Sequence, residues 1–195
     1  MDESQHVFAR DGAAPIDLPP VELDENLRST KQIAQLFGAF GDARLSPRGL
    51  PGSPVRVVDV PADDAIAAAD DAVEALLDEG WAPGQIALLA TGPRHPEQRN
   101  AVDHGGYAAY WDDFFAGTDV FFGHVLGFKG LERTAVVLAV NGFREPERAR
   151  RMLYTGLSRA RAMLVVVGPR AEIERLGGDA VRHRLHDAQE WSPGR

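Results

Sequence analysis

Residues 150–161 read Arg-Arg-Met-Leu-Tyr-Thr-Gly-Leu-Ser-Arg-Ala-Arg, and the apolar run Met163–Val167 follows almost at once. Leu153 and Leu157 stand four apart, on one face of a helix. Met163–Val167 is an unbroken apolar run of strand length, rich in β-branched valine. Arg159 therefore falls at a helix-to-strand junction. Because α/β proteins bind their ligands at the carboxyl ends of their strands, the reading puts this guanidinium at the carboxyl edge of a sheet. A planar, permanently charged fork there suits phosphate, whose oxygens it bonds in pairs. A helix with a solvated basic face is the bland alternative for the same residues.

Working outward, Val55–Val60, Ile86–Ala90, Val120–His124 and Thr134–Val140 read as further short strands. Asp63–Glu79 reads as a helix with Ile66, Val73, Leu76 and Leu77 inward and its acids on a solvated face. Tyr107–Phe115 reads as a short aromatic helix after a polar loop, Thr91–Gly106. Glu145–Ala160 is helical, and Pro169–Asp187 makes one or two helices interrupted by Gly177 and Gly178. Nearer the N-terminus, Ile33, Leu36, Phe37 and Phe40 follow the i, i+3, i+4, i+7 spacing of an amphipathic helix, with Ser29 or Thr30 as its N-cap. Arg28 lies at that helix entrance, where the dipole and free amides favour an anion. Short apolar strands alternating with helices predict an α/β fold, three layers α/β/α around a mostly parallel sheet of about five to six strands. Residues 1–22 read as loop and 191–195 as a frayed tail.

Composition bounds the function. With 44% hydrophobic and 26% charged residues, the chain has the make-up of a soluble globular domain. It has no run near the roughly 20 apolar residues that a membrane span needs. The absence of cysteine excludes disulfides and thiolate metal sites and fits a cytoplasmic setting. A net charge of −8 argues against coating nucleic acid by charge alone. Yet Arg144–Arg161 holds six arginines against Glu145 and Glu147, a local basic surface suited to a phosphate group or one strand. Only Lys31 and Lys129 are lysines, and neither stands in the Gly-Lys-Ser/Thr that ends a phosphate-cradling Walker A loop.

Several segments together resemble the UvrD/Rep-type superfamily 1 DNA helicases. Asn26-Leu-Arg-Ser-Thr30, within Leu23–Phe37, resembles their fourth motif, and Gly127-Phe-Lys-Gly-Leu-Glu132 their fifth. Glu147–Arg161, with Ser158-Arg159-Ala160, resembles the sixth, while Asp2-Glu-Ser-Gln5 is similar to the tail of the third. Pro83–Leu89 is similar to a strand between the fourth and fifth. In this order the segments cover most of residues 2–167. The resemblance implies a second RecA-like domain over residues 23–190, preceded by a remnant of the third motif. It is a compact variant, similar to helicase-like ATPases associated with nuclease-related domains.

What the resemblance implies for residues follows position by position. Arg159 would reach the γ-phosphate of ATP held by a first RecA-like domain, and Arg28 would be its second guanidinium. Such arginines stabilise the charge that spreads over a phosphoryl group in transfer. Glu132 would bond the ribose hydroxyls, Gln5 would sense the γ-phosphate, and Lys129 and Gly130 would form the turn that places Glu132. ATP is the implied cofactor, its Mg²⁺ held by the missing first domain. The implied partners are single-stranded DNA and a Walker-A-bearing RecA-like domain in cis or in trans.

His124 and Phe128 are the expected nucleic-acid contacts. The family carries Thr and His five and three residues before the motif lysine, where this chain has His124 and Leu126, and Gly127 replaces the usual Ser. The strand contact is therefore altered. Trp81, Tyr107, Tyr110 and Trp111 could stack on bases or fill the core.

The isolated chain is expected to hydrolyse no ATP. A non-catalytic regulatory or interaction module descended from such a domain is the competing expectation. An unrelated Rossmann-like domain is disfavoured because no Gly-x-Gly-x-x-Gly follows a strand.

Overall fold

A computed structural model describes residues 25–40 and 46–193. A parallel pair, β1 (Glu25–Asn26) and β2 (Ser46–Pro47), flanks helix α1 (Lys31–Gly38). The central elements are β3 (Arg56–Asp59), α2 (Ala65–Asp78), β4 (Ile86–Ala90), α3 (Pro96–Ala116), β5 (Phe121–His124) and β6 (Arg133–Ala139). They are followed by α4 (Ala149–Leu157), β7 (Ala160–Gly168), α5 (Arg170–Gly177), α6 (Asp179–His186) and β8 (Gln189–Glu190). Six strands form one sheet in the order β5-β4-β6-β7-β3-β8, and every pairing in it is parallel.

A parallel sheet covered on both faces needs strands that are apolar throughout. Ile86–Ala90 and Ala135–Ala139 are accordingly buried at every position. Alternation sends Val136 and Leu138 to one face, under α1, α4, α5 and α6. It sends Ala135, Val137 and Ala139 to the other, under α2. This is the expected three-layer α/β/α fold. Helix α4 lies so close to the sheet that a Cβ on Gly156 would stand 2.7 Å from a methyl of Leu138.

Three local expectations change. The segment read as a loop up to Gly106 is helical from Pro96, because His95 caps it by accepting from Glu97 N (3.1 Å) and proline fits the first turn. The helix kinks at Gly106. The last long strand begins at Ala160 rather than Met163, since Ala160 already pairs with Arg133. Finally, Trp191 is not frayed. Its N–H donates to Val57 O (2.9 Å) and its ring lies 4.6 Å from the Arg56 guanidinium.

The connection from β5 to β6 positions both edges of the site. Strands β5 and β6 run the same way with β4 between them, so residues 125–132 must return from the carboxyl edge to the amino edge. Parallel crossovers generally take a dozen or more residues and a helix. Here eight residues cross as a run of tight turns, with Phe128 N donating to His124 O (3.1 Å) and Leu131 N to Phe128 O (3.1 Å), anchored on the sheet face by the fully buried Val125 and Phe128.

Candidate functional site

Glu132 directly precedes β6 and Arg159 directly precedes β7. In a parallel sheet such positions share the amino edge, so the arginine cluster sits there and not at the carboxyl edge that the sequence reading assigned. The rule about carboxyl ends concerns residues that follow strands. Arg159 comes before one.

Three distant segments meet at this edge. Residues 28–30 lie along 158–161 and are stitched to them: Arg28 Nη2 donates to Ser158 O (3.1 Å), Ser29 Oγ to Ala160 O (3.0 Å) and Thr30 N to Arg161 O (2.9 Å). Arg28 Nε lies 3.4 Å from one oxygen of Glu132, and Arg161 Nε lies 3.5 Å from the other. One carboxylate thus stands between two guanidiniums whose side chains are 42% and 57% exposed. The Gly130 turn that delivers Glu132 has φ 88°, a conformation that glycine adopts without strain. Lys129 is exposed on the same turn.

Arg159 behaves differently. It is 1% exposed, and its Nε donates to Thr155 O (2.9 Å), Nη2 to Ser158 Oγ (2.8 Å) and Nη1 to Leu131 O (3.3 Å). A buried guanidinium must have its donors met, and here the end of α4 and the turn before β6 meet them. In this structure the expected finger points inward and joins two loops. Arg28 and Arg161 face out.

The opposite, carboxyl edge carries a second polar group. His124 ends β5, and its Nδ1 accepts from Leu126 N (3.2 Å). Burial is the main cause that holds its pKa below the ordinary 6.5, with the charges of Arg94 and Arg144 acting in the same direction. The loops bearing those arginines are tied together. Thr91 Oγ1 donates to Gly142 O (2.9 Å), Gly92 N to Asn141 Oδ1 (2.7 Å) and Asn141 Nδ2 to Pro93 O (2.9 Å). Arg94 and Arg144 are exposed beside them.

Phe128 is the clear correction among the strand contacts. Its ring is fully buried, 5.4 Å from Phe114 and 5.6 Å from Phe121, because the crossover needs an apolar anchor on the sheet. It has no surface on which a base could stack. Tyr110 is likewise core, donating to Phe122 O (2.8 Å), whereas Tyr107 is exposed. Gln5 lies outside the described residues.

Arg161, Arg94 and Arg144 went unassigned from sequence. A signal for Arg161 existed: it stands one residue past Ala160, the strand's first buried position, and alternation turns that next side chain to the opposite face. Nothing in the sequence joined Arg94 to Arg144.

Among the described residues no cluster of His, Asp or Glu is arranged to hold a metal ion, and no helix is long and apolar enough to cross a membrane.

The fold and these two edges define the class: a three-layer α/β domain of the RecA-like kind with a basic amino edge. Residues 120–167, from the start of β5 almost to the end of β7, match the family model of the UvrD-like helicase C-terminal domain. The matched stretch includes both Glu132 and Arg159. Among solved structures, the chain is similar to the C-terminal domain of a possible DNA helicase from Lactobacillus plantarum. The two are 22% identical with a TM-score of 0.47, covering 73% of this chain and 86% of that one. No curated protein matches the chain.

Proposed function

We propose that the chain is the C-terminal half of an ATP-dependent DNA helicase or translocase. Its amino edge completes an ATP site whose Walker A loop and Mg²⁺ belong to a first RecA-like domain, supplied in cis or in trans. The observation that carries this reading is the meeting of Arg28 and Glu132 with the Ser158–Arg159 turn at one edge, three segments from three family-like motifs. An exposed guanidinium beside a carboxylate fits a nucleotide, the first for phosphate oxygens and the second as an acceptor for ribose hydroxyls. Leu27 and Leu50 are 70% and 82% exposed beside Arg28 and the start of α1, apolar surface suited to a covering domain.

In this reading Arg28 meets the phosphates directly. Arg159 does so only by giving up its bonds to Leu131 and Ser158 as the first domain closes, and Lys129 and Gly130 shape the turn that presents Glu132. Single-stranded DNA lies at the carboxyl edge, near His124, Arg94 and Arg144. The crossover 125–132 runs between the two edges, from His124 to Glu132, so a shift at one end has a short, well-packed path to the other.

The test is reconstitution with a Walker-A-bearing RecA-like domain. DNA-stimulated ATP hydrolysis should appear only with both halves and fall by about a hundredfold or more in Arg28→Ala. Turnover that ignores Arg28 would overturn the reading. A regulatory module without catalysis is the second reading, favoured by the inward bonds of Arg159.

A further inference from the structure

We propose that the second half of α3 is a docking surface for a basic amphipathic helix of a partner protein. Tyr107, Trp111 and Phe115 stand at i, i+4 and i+8, in one row along this helix. The row lies beyond the kink at Gly106, so its helical spacing is unbroken. At 1.5 Å per residue it extends about 12 Å. Tyr107 is 53% and Phe115 72% exposed, while Trp111 between them is half-buried against Phe121 (5.6 Å). Ala108, exposed three residues before Trp111, widens the row. The row also borders the crossover, because a Cβ on Gly127 would stand 3.9 Å from Trp111 Cζ2.

Charge decides what covers this row. Asp103 and Asp119 stand four residues beyond its two ends, and Asp112 stands on its flank, four residues after Ala108. All three are exposed, and none is in an ion pair among the described residues. Elsewhere Glu79, Glu132, Glu145 and Glu174 each meet an arginine. Uncompensated carboxylates around an apolar row attract lysine or arginine and repel the phosphates of a nucleic acid. A basic amphipathic helix meets both demands, with apolar side chains for the aromatics and basic ones for the acids. Three other occupants are opposed by the same surface. A second copy in a twofold contact would set these acids against themselves. Residues 1–24 carry six acids against one arginine, the wrong charge. An added strand finds little on the neighbouring edge strand β5, where Phe122 O already accepts from the Tyr110 hydroxyl (2.8 Å) and His124 O from Phe128 N (3.1 Å).

The test titrates the full chain into a fluorescently labelled synthetic peptide of leucine, alanine and lysine, read by anisotropy. The peptide is about 18 residues long, enough to form a helix, with leucines on one face and lysines on both sides of it. The unchanged protein should bind it, and Tyr107→Ser and Phe115→Ser should each weaken binding about tenfold. Asp103→Asn combined with Asp112→Asn should also weaken binding and flatten its salt dependence. Asp71→Asn, which removes an exposed carboxylate on α2, should bind as the unchanged protein does. A peptide with glutamate in place of every lysine should not bind. Both aromatics are exposed, so unaltered thermal midpoints in their variants check that the fold is kept. No binding by the unchanged protein, equal binding of the glutamate peptide, or binding that ignores Phe115→Ser would each overturn the proposal. Binding of single-stranded oligothymidylate that is lost in Tyr107→Ser would overturn it too, by giving the row to bases. A dimer of the unchanged protein that is lost in Phe115→Ser would give the row to a second copy instead.

Discussion

Arg159 Nη1 donates to the backbone carbonyl of Leu131 (3.3 Å), so the arginine that precedes β7 is tied to the turn that precedes β6. The bond joins residues 28 positions apart and places Glu132 one residue beyond its acceptor. A guanidinium in this position sets the shape of the amino edge, whatever it later touches.

Arg159→Ala should therefore be costly to the fold. It leaves the Leu131 carbonyl without its side-chain donor and takes one of two donors from the Thr155 carbonyl, which keeps the Ser158 hydroxyl, at a cost of about 2 to 3 kcal/mol. Arg28→Ala removes a half-exposed ion pair and should cost less than about 1 kcal/mol. Urea unfolding of both variants gives the comparison. Equal losses would mean that Arg159 is no brace.

Purified alone, the chain should hydrolyse no ATP, because it contains no Gly-Lys-Ser/Thr. DNA-stimulated turnover by clean protein that survives Arg28→Ala would point to a phosphate site elsewhere.

With a first domain supplied, Arg28→Ala and Glu132→Ala should separate in kinetics. An arginine aimed at charge that develops in transfer lowers kcat when removed, whereas a ribose contact is the same in ground and transition states and mainly raises KM. A rise in KM alone for Arg28→Ala would make it a ground-state anchor.

His124 should make stability depend on pH. Burial holds its pKa below 6.5 in the folded state, while the unfolded residue titrates near that value. Below about pH 6.5 the unfolded chain binds more protons at this position than the folded one, so stability falls as pH drops. Protonation at Nδ1 would also remove the acceptor for Leu126 N. Unfolding free energies from pH 7.5 down to 5 should decline less steeply in His124→Asn than in the unchanged protein. Parallel slopes would remove His124 as the cause.

Arg94→Ala and Arg144→Ala should weaken single-stranded DNA binding by the reconstituted pair and flatten its salt dependence, each by roughly 0.7 in the logarithmic slope if it meets one phosphate. Loss of affinity with an unchanged slope would place these arginines away from the strand.

Much of the architecture was legible in the chain. The runs Ile86–Ala90 and Thr134–Val140 are too apolar for any place but a doubly covered strand, and the spacing Ile33, Leu36, Phe37, Phe40 commits one helix face to the core. These are local properties, set by side-chain transfer free energy and backbone period. Helix α3 was legible only from Tyr107 onward, because its first turns are mostly polar and exposed and depend on the His95 cap. Trp191 was misread for a related reason: its partners, Val57 and Arg56, lie more than 130 residues away.

For the candidate site, residue type and placement pointed Arg28 and Arg159 toward an anion, the family resemblance added Glu132 as the expected ribose acceptor, and lysine placement excluded a Walker A loop. Which edge they occupy, and which of them face out, depended on tertiary structure. Strand direction is a property of pairing, so Arg159 goes to the amino edge only once β6 and β7 lie parallel. Exposure depends on what packs nearby. The end of α4 and the Leu131 turn close over Arg159, whereas Arg161, two residues on, is left beside Glu132. A guanidinium carries the same charge in both places. Only the distant carbonyls around it determine whether that charge is used inside the fold or offered to a ligand.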